Sequence, residues 1–191
     1  VNNNPENPII NIRSYGENPE DVAAHVRAFI EGAHSAPDPV LVTAKHFPGH
    51  GDTGTDTHLA LAVLNADSER LNAVELEPFR AGIAAGVDSV MAAHIAVPAL
   101  DSPEIPSTLS RAVLTGLLRE KLHFGGLIAT DALNMQGITN HWSVAEAAVK
   151  AIQAGADVLL MPANPERAIA GIVRAVERGA ISRRRLDESV S

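Results

Sequence analysis

Four short apolar runs constrain this chain more than any other feature: VLVTA at 40–44, VDSVMAA at 87–93, GLIAT at 126–130 and DVLLM at 157–161. None alternates cleanly between apolar and polar residues, so neither face of such a strand is made for water. Continuous Val-, Ile- and Leu-rich runs of this length belong to a parallel sheet covered on both sides by helices.

Helical patterns fill the intervals. Asn18 before Pro19 reads as an N-cap followed by proline at the first helical position, and Val22, Val26, Phe29 and Ile30 then share a face. Ser110 is placed to cap a second helix carrying Val113, Leu114, Leu117, Leu118 and Leu122. Ser143 and Glu146 have capping-box spacing ahead of a helix running toward Gly155, and Asn164-Pro165 repeats the first signature ahead of Ile169, Ile172, Val173 and Val176. A further helix around 71–85 must be kinked or divided by Pro78. Strands alternating with helices predict an α/β fold, either an open doubly wound sheet or a (β/α)8 TIM-type barrel. Lys45-His46, His94, Asp131 and 162–164 all fall at or just after the C-terminal end of a predicted strand. Both folds gather chemistry at that edge, and the barrel draws it from several strands at once. Four strands cannot close an eight-stranded barrel, so on the barrel reading residues 1–191 are the C-terminal part of a single catalytic domain whose first strands precede Val1.

Composition narrows the partners. With 15 basic against 23 acidic residues the formal charge is -8, which speaks against a nucleic-acid phosphate backbone and suits an uncharged substrate. Cysteine is absent, which removes thiolate nucleophiles and thiolate metal ligands. No apolar run has the length of a membrane span. Any targeting segment is expected upstream of Val1, leaving cytoplasmic and secreted or lipid-anchored placement both open.

The densest segment is KHFPGHGDTGTDTH at 45–58, with one cation, three imidazoles, two carboxylates and three glycines. A catalytic loop and an ordinary turn rich in Asp, Thr and Gly both fit that composition. Its His and Asp residues match no zinc spacing and no HExxH occurs, so neither a metal nor another cofactor is expected. Asp56-x-His58 suits proton transfer better, because a carboxylate beside an imidazole orients the ring and raises its pKa. Asp131 closes the run at 126–130. A carboxylate there is either a helix N-cap or a group facing a cleft.

Taken together, KHFPGHG at 45–51, Asp56-Thr57-His58 and TDALNM at 130–135 resemble glycoside hydrolase family 3, in its bacterial β-N-acetylglucosaminidase branch. The resemblance runs from Asn2-Asn3-Asn4-Pro5 and Ile12-Arg13-Ser14 to Gly155-Ala156-Asp157. It implies a (β/α)8-type barrel and a retaining double displacement, with Asp131 as nucleophile, His58 as proton-transfer group and Asp56 assisting it. It also implies that Arg13, Lys45 and His46 bind hydroxyls of a terminal N-acetylglucosamine on a small carbohydrate substrate. His94, also at a strand end, is expected either to touch that sugar, to support the site from behind, or to serve structure alone. His50 is read as positioning the loop, Trp142 as packing at a helix start, and His25, His34, His123 and His141 as surface residues. Oligomeric state is not read from these residues.

Overall fold

The computed structural model describes residues 1–54 and 60–190. In chain order its regular elements are α1 (Pro19–His34), β1 (Thr43–Phe47), β2 (Ala62–Val63), α2 (Ser68–Arg70, continuing as a wider turn over Leu71–Glu75), α3 (Glu77–Ala84), β3 (Ser89–Ala92) and β4 (Ile95–Ala96). They are followed by α4 (Ala112–Lys121), β5 (Leu127–Thr130), α5 (Gln136–Thr139), α6 (Val144–Ala154), α7 (Pro165–Glu177) and α8 (Arg183–Val190).

A three-stranded parallel sheet in the order β1-β3-β5 forms the centre. The fourth apolar run lies beside β5 through a bridge between Ala129 and Val158 and the bond from Thr130 N to Val158 O (2.9 Å). Two further details depart from the sequence reading. Pairing of the first run begins later than expected, because Val42 fixes its start: its N–H donates to the Asp88 carboxylate (2.8 Å) and its carbonyl accepts from Ser89 N (3.1 Å). Val40 and Leu41 therefore precede the ladder, Leu41 at 79% exposure, and β1 instead runs on through Lys45-His46-Phe47. The second detail is the small parallel pair β2-β4, too short to leave a pattern in the sequence.

The caps follow the expected chemistry. Asn18 Oδ1 accepts from Glu20 N (2.9 Å) and Asp21 N (3.1 Å) at the head of α1. Ser143 and Glu146 complete a capping box on α6, which ends at Gly155 with φ 122°. Asn164 Oδ1 accepts from Arg167 N (2.8 Å) on α7. Ser110 Oγ accepts from Val113 N (3.2 Å) at the head of α4, which closes with an i→i+5 bond from Leu122 N to Leu117 O. Pro78 divides the predicted helix at 71–85, with α3 starting around it.

Phe47, Val90, Ile128, Leu114, Leu118 and Ile30 are buried together, with Phe79 set edge-on to Phe47 at 5.1 Å between ring centroids. Each such side chain contributes about 1.5–3 kcal/mol by leaving water. Trp142 packs against the same core. Not every apolar stripe turns fully inward: Phe29 on α1 is 57% exposed and Ile169 on α7 is 61% exposed. On α7 the reason is close approach. A Cβ on Gly171 would stand 2.8 Å from the Ala145 Cβ of α6, so the helix buries Ala168, Gly171 and Ala175 and turns Ile169 and Val173 outward. Among the described residues no helix is long and apolar enough to cross a membrane.

Candidate active site

The strand ends bring the expected groups to one edge. Between Lys45 and Phe47, β1 carries one residue more than β3, since Lys45 pairs with Met91 and Phe47 with Ala92. The surplus residue is His46, and a bulge of this kind re-aims a side chain. His46 lies against Arg13, which a short 3-10 turn at Asn11–Arg13 delivers from the other side. Arg13 Nη2 stands 3.3 Å from His46 Nε2. A guanidinium only donates, so Nε2 accepts and the ring's own proton sits on Nδ1. Burial pushes the imidazole down to about 3; Asp131 pulls it back up, while Lys45, His50 and Arg13 oppose a further positive charge. His46 is thus neutral, and the 3.8 Å between its Nε2 and Asp131 Oδ2 is proximity without an ion pair.

Asp131 follows β5 directly. Its backbone N–H donates to Ala92 O (3.0 Å), tying it to the end of β3, and its Oδ1 accepts from Ala132 N (2.8 Å). Among the described residues Oδ2 accepts no hydrogen bond, and the side chain keeps 18% of its surface open. The helix-cap alternative does not hold, because α5 starts at Gln136 with Met135 before it. A cavity of about 300 Å³ bordered by Arg13, Lys45, His46 and His50 continues over Phe29 and Phe79 of the neighbouring helices.

His94 lies between β3 and β4 and is wholly buried. Its Nδ1 is 2.8 Å from Thr108 Oγ1 and its Nε2 is 2.9 Å from Ala132 O. Of the three roles open to it, this position fits support from behind: the enclosed ring braces the residue after Asp131. His50 is buried, with Nδ1 2.7 Å from Thr53 Oγ1 and its ring edge-on to His46. His34, read as a plain surface residue, instead places Nε2 2.8 Å from Asp88 Oδ2. Asp56 and His58 lie outside the described residues. Among those described, no three or more His, Asp or Glu side chains are arranged to hold a metal ion.

Sequence reasoning missed the groups that hold the loop after β1. Arg70 pairs with Asp52 at 2.7 Å and with Glu75 at 3.2 Å. Glu75 packs under Gly49, whose φ is 144°; a Cβ there would stand 2.8 Å from the Glu75 Cβ. Burial pushes the Glu75 carboxyl up, with Arg70 pulling it back. Asn7 supports the same loop from the N-terminal side. A charge triad with partners 18 and 23 residues apart from Asp52 shows no spacing that marks it.

The profile described as glycosyl hydrolase family 3 N terminal domain matches residues 1–191. The chain belongs to this family. Its fold is accordingly the TIM-barrel type of α/β fold, with the parallel β1-β3-β5 sheet as part of it. A β-hexosaminidase A of Pseudoalteromonas piscicida is 41% identical over 177 residues, covering 85% of this chain and 29% of that protein. The solved structure of a glycoside hydrolase family 3 β-N-acetylglucosaminidase from Paenibacillus sp. str. FPU-7 superposes with a TM-score of 0.95 at 46% identity, covering 100% of this chain and 36% of that one. A β-glucoside phosphorylase superposes with a TM-score of 0.93 at 35% identity, covering 100% of this chain and 36% of that one. The chain spans less than half the length of these relatives.

Proposed function

We propose that residues 1–191 are the later part of a (β/α)8 catalytic domain that hydrolyses terminal β-N-acetylglucosamine from cell-wall or chitin-type saccharides. The observation that carries this is the Asp131 carboxylate: it is fixed through one oxygen, its other oxygen accepts nothing among the described residues and stands 3.8 Å from a neutral His46 that Arg13 contacts in turn, and its side chain keeps 18% of its surface open. Such a carboxylate is held in place yet available to attack. The names of the β-hexosaminidase and β-N-acetylglucosaminidase relatives support the sugar.

In this reading an Asp131 oxygen bonds to the anomeric carbon as the bond to the leaving oxygen breaks, and His58, oriented by Asp56, hands that oxygen a proton. Water then cleaves the glycosyl–Asp131 ester, giving its proton to His58 and restoring the starting state with retained configuration. Arg13, Lys45 and His46 bind sugar hydroxyls, and a neutral His46 accepts or donates there without adding charge. His94 is a positioning residue behind Asp131. The phosphorylase relative makes phosphate a competing acceptor for the second step.

The test uses the full open reading frame containing these residues, on aryl β-N-acetylglucosaminide and aryl β-glucoside, with and without inorganic phosphate. Asp131→Ala is expected to lower N-acetylglucosaminide turnover by more than about a thousandfold while the protein stays folded. Preference for the glucoside would overturn the sugar, a sugar phosphate as the main product would overturn hydrolysis, and undiminished turnover would overturn the nucleophile.

A further inference from the structure

Asn7 is buried, 5% exposed, and its side chain uses both ends of its amide. Oδ1 accepts from Ile9 N (2.9 Å) and Ile10 N (2.8 Å), while Nδ2 donates to His50 O (2.8 Å), 43 residues away. Two backbone N–H groups on one side and a carbonyl on the other leave no ambiguity about which end is oxygen.

Each end leads to a different part of the site. Ile10 heads the turn that carries Arg13: Arg13 N donates to Ile10 O (2.7 Å), and Arg13 Nη1 reaches back to Ile9 O (3.4 Å). The other arm of that guanidinium meets His46. On the opposite side, His50 O also accepts from Thr53 Oγ1 (3.1 Å), and Thr53 Oγ1 lies 2.7 Å from His50 Nδ1, so residues 50–53 form a closed turn that Asn7 holds. Asp56 and His58 follow this turn in the chain by three and five residues from Thr53.

We propose that Asn7 is a positioning residue that sets the sugar-binding Arg13 turn and the start of the Asp56/His58 segment relative to each other, through one amide. This rests on the function proposed above. Its acceptor end acts on substrate binding through Arg13, and its donor end acts on proton transfer through the 50–53 turn. The two effects are separable, because Asn7→Asp keeps the acceptor toward Ile9 and Ile10 but sets a second oxygen against His50 O, whereas Asn7→Ala removes both ends.

The experiment measures kcat and KM of the full-length protein and both variants on 2,4-dinitrophenyl and phenyl β-N-acetylglucosaminide, with melting temperature alongside. The dinitrophenyl group leaves without a proton; the phenyl group needs one. Misplacement by about 1 Å costs on the order of a hundredfold, so Asn7→Asp is expected to lower kcat/KM on the phenyl glycoside by about that factor, while kcat/KM on the dinitrophenyl glycoside, which reports formation of the glycosyl–Asp131 ester without proton donation, stays within about threefold. Asn7→Ala is expected to add a further loss of about tenfold in kcat/KM on both substrates. Equal losses of kcat/KM on both leaving groups in Asn7→Asp, wild-type kinetics in both variants, or failure of both to fold would each overturn the proposal, the last by reducing Asn7 to a scaffold residue. A folded wild-type protein inactive on every glycoside would remove the functional reading, and this one with it.

Discussion

The two rims of the parallel sheet treat their carboxylates in opposite ways. At the N-terminal rim, the Asp157 side chain is 4% exposed and accepts from four donors: Arg119 Nη2, Arg185 Nη2 (2.9 Å), Ser189 Oγ (2.7 Å) and Ile128 N (3.0 Å). Nearby, Asp88 Oδ2 takes both His34 Nε2 and Val42 N at 2.8 Å. At the C-terminal rim, Asp131 has one hydrogen-bonded oxygen and a neutral histidine beside the other. A saturated carboxylate has no oxygen left for a substrate, whereas one with spare capacity has what the nucleophile proposed above requires. A cavity of about 670 Å³, larger than the one beside His46, opens at the saturated rim, where Arg119 and Arg185 are already committed to Asp157.

The largest expected contrast is between two substitutions of the same kind. Asp157→Asn leaves two guanidinium groups facing a neutral amide and is expected to cost about 3–5 kcal/mol, read as a lower urea midpoint at unchanged slope. Asp131→Asn is expected to change stability by less than about 0.5 kcal/mol, because among the described residues no Lys or Arg is paired with it. Equal costs would erase the distinction between the rims.

A smaller effect concerns pH. His46 in the folded protein gives up its proton down to about pH 3, whereas the unfolded chain takes one up near 6.5. Stability is therefore expected to fall as pH drops from 6.5 toward 3, and His46→Asn to flatten that slope. Ring nitrogen NMR checks the premise directly: His46 should stay neutral, protonated on Nδ1, from pH 8 to about 4.5. An imidazolium at pH 6 would mean that Asp131 and His46 form an ion pair after all.

The smallest effect belongs to Asp88. The Val42 N–H holds its carboxyl below the usual range, and the His34 ring adds to this. Its contribution is full above about pH 4 and is lost as pH falls below that toward the lowered value. Asp88→Asn is expected to remove this last part of the acid limb in a series of melts from pH 5 to pH 3, leaving the His46 slope above it intact.

Local signals carried much of the architecture. Asn18-Pro19, Ser143 with Glu146, and Asn164-Pro165 announce helix starts because a cap bonds to residues two or three places ahead. Asp131 was legible for a similar reason, as a charge ending an apolar run. What stayed hidden rests on partners remote in sequence. The start of β1 depends on Asp88, 46 residues from Val42, and the turn at 50–53 depends on Asn7. The inward face of α7 depends on the size of Gly171 against Ala145, and hydrophobic periodicity favours the larger Ile169 and Val173. The burial of His94 follows from Thr108 and Ala132, neither of which carries a pattern that would name it.

The donors around Asp157 also come from very different times in the life of the chain. Ile128 and Arg119 precede it, while Arg185 and Ser189 on α8 lie 28 and 32 residues after it. A chain made from its N-terminus therefore emerges with this carboxylate only half enclosed, and its surroundings stay wet until α8 has left the ribosome and docked. Translation that stalls before Arg185 would present a sheet with an unfinished rim, recognisable to proteases by an accessible segment at 156–161, whereas the Arg13–His46–Asp131 corner would already be in place.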